Sequence, residues 1–127
     1  MAKYYNKKTM TSDGILHDSR KEAARWTMLK LLERAGEITD LDRQVEFVLI
    51  PEQREPSTEV YQRGKNKGMP KEGKLIEHKV VYRADFVYTD LKSGEKVVED
   101  TKGIKTKDYI LKRKMMLFFH NIRIKEI

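Results

Sequence analysis

The sequence predicts an α/β domain with a mixed central sheet flanked by helices, in the order α-β-β-β-α-β, and three observations lead there. Two stretches, 19–35 and 106–120, repeat apolar residues at helical spacing. Three runs ending at Ile50, Tyr88 and Lys102 are rich in β-branched and aromatic residues, and a short fourth covers 122–127. Helical and strand segments interleave, which favours a layered sheet-and-helix architecture over a bundle or a sandwich.

Each element has a local cause. Residues 1–16 form a basic N-terminal arm with Gly14 as a turn. Ser19 caps a first helix in which Ala24, Met28, Leu31, Leu32 and Ala35 recur at helical spacing and which Gly36 stops. Trp26 and Leu29 lie on the same side as Glu22, so Glu22 can point inward. Residues 38–50 contain a strand with Val45, Phe47 and Leu49 on one face and Val48 and Ile50 on the other, ended by Pro51. Residues 52–74, with Pro56, Gly64, Gly68, Pro70 and Gly73, read as a long mobile loop. The runs 78–88 and 96–102 are joined by turn residues and pair as a hairpin. Thr106 and Asp108 then open a second helix to about His120, with Leu111, Met115, Phe118, Phe119 and Ile122 as its expected buried stripe.

The hairpin carries the most informative residues. Asp100 and Lys102 are two apart on one strand and share a face. A four-residue loop, 91–94, sets Asp85 opposite Asp100, whereas a two-residue loop, 93–94, sets it opposite Lys102. In both registers two carboxylates and an ammonium converge. Carboxylates are hard oxygen ligands of the kind Mg²⁺ or Mn²⁺ takes, and such a metal neutralises phosphate charge and acidifies a bound water. A neighbouring lysine can orient that water or stabilise charge on the phosphorus oxygens.

Asp85 followed by Asp100-Thr101-Lys102 resembles the PD-(D/E)XK nuclease superfamily, with Ala84 where the superfamily's name places proline. The resemblance implies a restriction-endonuclease-like core, phosphodiester hydrolysis, Asp85 and Asp100 as metal ligands, and Lys102 as the catalytic lysine. It also implies Glu22 as a third acidic ligand, as in resolvase-like members, with the Thr101 carbonyl adding a further one. The wider layout, Asp18-Ser19-x-x-Glu22, Gly36-Glu37-Ile38, Gln44-x-x-Phe47, Ala84-Asp85-Phe86 and Asp100-Thr101-Lys102-Gly103, is similar to a family of small phage and prophage proteins of unestablished function. It covers nearly the whole chain apart from the first dozen residues and the loop after Pro51. By this likeness the expected activity is a Mg²⁺-dependent DNA endonuclease acting on branched recombination or replication intermediates, and a homodimer is favoured.

Other readings of the same residues stand beside this one. Ser19-x-x-Glu22 is also a capping box, in which the glutamate returns to the N-cap amide. Gln44, just before the strand-like residues 45–50, can approach the same site, but it reads most simply as an exposed strand residue. His17, His78 and His120 show no ligand spacing. A non-catalytic nucleic-acid-binding protein on the same fold, or an RNA nuclease, would also suit the pattern.

Composition narrows the partners. The 127 residues carry a formal charge of +7. Eight of the basic residues fall between Thr101 and Lys125 and five between Arg63 and Lys74, against one acid in each stretch. That distribution suits a polyanion, with Lys105, Lys107 and Lys112 beside the cut and Arg63, Lys65 and Lys67 on the loop as expected DNA contacts. No cysteine is present, which excludes thiol catalysis and thiolate zinc sites and suits a reducing bacterial host cytoplasm. No apolar run approaches the length of a membrane span, so no membrane partner is expected.

Overall fold

A computed structural model describes residues 7–127, so residues 1–6 of the basic arm lie outside the described residues. The chain divides into two compact units, one formed by Met1–Phe47 with Arg83–Ile127 and the other by Val48–Tyr82.

The first unit opens with a small antiparallel pair, β1 (Thr9–Met10) and β2 (Leu16–His17), in which Thr9 faces His17. Gly14 makes the turn between them at φ 85, a conformation that favours glycine. Helix α1 (Arg20–Arg34) follows, with Ser19 as N-cap accepting the Glu22 amide. Its buried residues are Glu22, Ala23, Trp26 and Leu29. The apolar stripe expected through Ala24, Met28, Leu31 and Ala35 faces outward, and Leu32 alone of that set packs against the core. Two polar anchors on α1 set this rotation. The Trp26 indole donates to Asp13 at 2.6 Å, and the Arg25 guanidinium grips Glu99 at 2.8 and 2.6 Å. The core beneath α1 is Trp26, Leu29, Ile38, Phe86 and Tyr88, with Trp26 stacked on Phe86.

The main sheet has four strands in the order β3-β6-β7-β8. They are β3 (Ile38–Ile50), β6 (Val80–Asp90), β7 (Lys96–Asp100) and β8 (Lys125–Glu126), and both β3 and β6 run on into the second unit. β6 and β7 are antiparallel, β7 and β8 parallel, so the sheet is mixed as expected. A parallel pair needs a crossover connection. Helix α2 (Lys107–His120) supplies it, capped by Thr106 at its start and by Asn121 at φ 55 at its end.

The expected buried stripe of α2 is a correction. Tyr109 and Met116 are the buried residues, while Phe118 is 80 % exposed and Leu111, Leu117 and Phe119 are about half exposed. Met115 and Ile122 are half-buried. The helix is rotated by polar contacts to β8: the Tyr109 hydroxyl donates to Glu126 at 2.7 Å and Arg113 donates to the same carboxylate at 3.2 Å.

The second unit contains β4 (Gln53–Arg54) paired with β5 (Leu75–Glu77). The polar excursion 52–74, which includes β4, carries a further ladder beyond that pair. Glu55 donates to Lys74, Lys71 to Glu59, Tyr61 to Met69 and Gly68 to Tyr61, closing a hairpin whose tip turns at Gly64. Gly73 permits a close approach here, because a Cβ would fall 1.7 Å from the Glu55 carbonyl oxygen.

Candidate metal and nucleic-acid site

The loop between β6 and β7 chooses between the two predicted registers. The Asp90 amide donates to Glu95 and the Gly94 amide to Asp90, leaving 91–94 as a four-residue loop with Gly94 at φ 76. The Asp90 carboxylate accepts from the Ser93 amide and hydroxyl, which fixes the turn. Thr89 pairs with Lys96 and Phe86 with Glu99, so the next pair along the ladder is Asp85 with Asp100. Alternation then sorts the strands. Phe86, Tyr88 and Glu99 face α1, while Asp85 and Asp100 share the opposite face with Val87 and Val98.

Each of these side chains is held. One oxygen of Asp85 accepts from both the Thr101 amide and the Thr101 hydroxyl at 2.8 Å, a double grip that also fixes the Thr101 peptide. Asp100 is buried, and the Lys102 ammonium lies 3.6 Å from its Oδ1. The same ammonium sits 4.9 Å from the centre of the Tyr109 ring, so α2 positions the lysine by a cation–π contact. Ala84, before Asp85, is fully buried, so its methyl is part of the packing.

Glu22 enters from α1. Its amide completes the Ser19 cap, but its carboxylate accepts from Gln44 Nε2 at 3.2 Å and lies 3.7 Å from His17 Nδ1. The carboxyl is pushed up to about 7, first by burial, then by the negative charges of Asp85 and Asp18, with Arg43 and Gln44 opposing. Asp85 therefore lies within electrostatic reach of Glu22. His17 is fully buried and its imidazole is held below the usual histidine range, chiefly by burial and by the Arg43 charge.

The structure thus brings Asp85, Thr101, Asp100 and Lys102 together and sets Glu22 within the field of Asp85. Among the described residues no three His, Asp or Glu side chains are gathered closely enough to enclose a metal ion. The donor chemistry still suits a hard cation: burial first, and then the charges of Asp85 and Asp18, raise the proton affinity of Glu22, and a cation would relieve that charge repulsion.

The basic residues fall in two places. Lys105, Lys107 and Lys112 belong to the first unit, where Lys105 pairs with Glu126 at 3.3 Å and Lys112 with Asp108 at 3.5 Å. Arg63, Lys65 and Lys67 are exposed on the hairpin of the second unit.

Sequence reasoning missed four contributors. Gln44 is half-buried and directed to Glu22, because it adopts φ 55 within β3, a conformation that breaks strand alternation and re-aims the side chain. Tyr109 was legible only as an apolar helix residue. Arg25 is half-buried and pairs with the buried Glu99, which also accepts from the Tyr88 hydroxyl. The signal for that pair was available: alternation puts Glu99 on the α1 side, where a buried acid needs a cation.

The full chain, residues 1–127, matches the family described as Protein of unknown function (DUF1064). The chain belongs to that family. No curated protein and no solved structure matches this DUF1064 chain. Among its described residues no helix is long and apolar enough to cross a membrane.

Proposed function

We propose that this DUF1064 chain is a metal-dependent endodeoxyribonuclease on a restriction-endonuclease-like core of the PD-(D/E)XK kind, working in the bacterial host cytoplasm. The observation that carries the proposal is the β6–β7 register, which seats Asp85 beside Asp100 with the Lys102 ammonium against Asp100. Asp85, Asp100 and Glu22 are the carboxylates that would hold Mg²⁺ or Mn²⁺, with the Thr101 carbonyl beside them. The bound metal would neutralise phosphate charge and acidify a water.

The chain's own residues then have separable tasks. Thr101 holds Asp85 in one orientation through two hydrogen bonds. Tyr109 and Asp100 hold Lys102 where its ammonium can stabilise charge gathering on the phosphoryl oxygens as water attacks and the ester oxygen leaves. Gln44 fixes the Glu22 carboxylate. Lys107, and Lys105 and Lys112 once released from their acid partners, supply phosphate contacts on the first unit. Arg63, Lys65 and Lys67 supply others on the second. The exposed apolar face of α2 around Leu111 and Phe118 favours pairing with a second copy, because an apolar stripe flanked by lysines is a poor surface to leave in water.

The deciding experiment is incubation of the chain with labelled linear, nicked, flapped and four-way DNA, and with RNA, in Mg²⁺, Mn²⁺ or chelator. Metal-dependent cutting of branched DNA that disappears in Asp85→Ala, with binding retained, supports the proposal. Tight binding without cutting supports the non-catalytic alternative. Preferential cutting of RNA overturns the DNA assignment.

A further inference from the structure

The hairpin of residues 52–74 has a stem and a tip of opposite charge. The stem holds Glu52, Glu55, Glu59 and Glu72. Arg54 braces it, pairing with Glu52 at 3.0 Å and Glu72 at 3.5 Å and donating to the Gly73 carbonyl at 2.9 Å. The tip, residues 60–71, carries Arg63, Lys65, Lys67 and Lys71 and no acid. Among the described residues none of these cations is paired with an acid, and the Lys71 ammonium instead lies 5.5 Å from the centre of the Tyr61 ring. Cations at the end of an arm whose acids are confined to its stem suit a polyanion met end-on.

The shape of the tip narrows that further. Val60 pairs with Pro70, and the Tyr61 amide donates to Met69 at 3.0 Å. Alternation puts Tyr61, Met69 and Lys71 on one face of the ribbon and Val60 with Pro70 on the other. Residues 51–70 are exposed throughout, so both faces are open, and Val60, Tyr61 and Met69 are large apolar side chains left in water. An isolated two-stranded ribbon is marginally stable, and these side chains join no core that would support it. A flat partner covers one face of such a ribbon; a groove covers both. The end is folded tightly, with the Lys67 amide donating to Gly64, the Met69 amide to Asn66, and Gly64 and Gly68 at φ 81 and 85.

We infer that residues 60–71 form a β-ribbon that enters the major groove of duplex DNA, with Tyr61 and Met69 against base edges and the tip cations on the flanking phosphates. The inference rests on the DNA-binding half of the proposed function and deepens it. The major groove of B-form DNA is about 12 Å wide and admits a two-stranded ribbon, whereas the minor groove, about 6 Å wide, does not. It also displays the thymine methyl group, an apolar target for Tyr61 and Met69. The deep, narrow major groove of duplex RNA shuts the ribbon out, so the same feature favours DNA. Glu59 and Glu72 flank the tip and are repelled by phosphate, which limits insertion to residues 60–71.

The test uses the whole chain and a DNA duplex in which 5-iodouracil replaces thymine, so that a photoreactive iodine takes the place of the methyl group in the major groove. Binding and irradiation are carried out in chelator and again in Ca²⁺, and the cross-linked peptide is mapped by mass spectrometry. A cross-link within residues 61–69 that persists when netropsin fills the minor groove is the expected result. Tyr61→Ala with Met69→Ala should weaken duplex binding about tenfold at an unchanged salt slope, because neither side chain is charged. Duplex RNA of the same sequence should bind about tenfold more weakly or worse. The cross-link is read on the unaltered chain, so a poorly folding variant does not decide the outcome. Tight duplex binding without that cross-link, competition by netropsin, or equal affinity for duplex RNA overturns the groove assignment and leaves the carboxylate centre standing. The expected cross-link in a chain that never cuts keeps the ribbon and defeats the nuclease proposal. Absence of duplex binding in both buffers overturns both.

Discussion

Replacing Glu22 by Gln should stabilise the protein at pH 8 and leave it almost unchanged near pH 4.5. The Glu22 carboxyl is raised from its ordinary 4.5 to about 7, with burial the largest cause and the Asp85 charge the next. Between those values the folded protein holds a proton that the unfolded chain has released, so stability falls as pH rises through that window. Below 4.5 both states are protonated and the penalty is absent. Above 7 it is fully present, and the difference at 1.36 kcal/mol per unit corresponds to about 3 kcal/mol. Glu22 is buried, so solvent screening takes away little. With its amide oxygen in the place of Oε1, Gln keeps the acceptor for Gln44, so few contacts are lost. Urea denaturation in chelator at the two pH values measures the effect, with a gain of about 2 to 3 kcal/mol expected at pH 8. Adding Mn²⁺ should then stabilise the unaltered protein much more than the variant. A variant equally stable or unstable relative to the parent at both pH values would refute the electrostatic reasoning, because a capping role alone has no such pH dependence.

Asp85→Ala and Lys102→Ala should each abolish DNA cleavage while gel-shift affinity persists; full-rate cutting by either would remove the proposed centre. Arg25→Ala should lower stability by about 3 to 5 kcal/mol at neutral pH, since it strands the fully buried Glu99, and thermal or urea unfolding reads it directly. With Lys105 and Lys112 released from their acid partners onto phosphate, all six cations count, so log affinity should fall against log salt with a slope of about −5. Changing Arg63, Lys65 and Lys67 together to Ala should flatten that slope by about 2.7; an unaltered slope would mean that the hairpin does not touch DNA. Leu111→Ser with Phe118→Ser should shift sedimentation from dimer to monomer without loss of folding, and a parent chain that sediments as a monomer at high concentration would dismiss the apolar face as a contact between copies.

The hairpin at the centre of the site was legible because period-2 alternation and a serine-glycine turn leave few registers, and both brought Asp85 to the face of Asp100. The inward direction of Glu22 was legible for a similar reason, since Trp26 and Leu29 lie one and two turns further along the same helix face. Helix rotation was harder. Both helices carry more apolar positions than they can bury, and the choice between stripes was made by long-range polar contacts: Arg25 to Glu99 for α1, Tyr109 and Arg113 to Glu126 for α2. Gln44 escaped because positive φ at Asp40 and Gln44 interrupts the alternation on which a face assignment depends. His17 escaped because its placement comes from a two-residue strand pair, too short to leave a pattern.

The adjacent acids Glu99 and Asp100 show how one strand separates a structural charge from one that the proposed chemistry would use. Both are buried, but alternation sends them to opposite faces. Glu99 meets a two-pronged guanidinium from Arg25, the Tyr88 hydroxyl and, at 4.0 Å, the Lys125 ammonium. That carboxylate is committed to joining α1 to the sheet, and a metal could reach it only by breaking the pair. Asp100 faces Lys102 at 3.6 Å, beyond a hydrogen bond, and Lys102 is a flexible, partly exposed chain resting on an aromatic face. Such a contact can lengthen or be exchanged without unfolding anything. Desolvation of Glu99 is thus offset by rigid pairing, whereas the Lys102 contact of Asp100 can move. Glu99 is therefore committed to the structure, and Asp100 is the acid that the proposed chemistry would use.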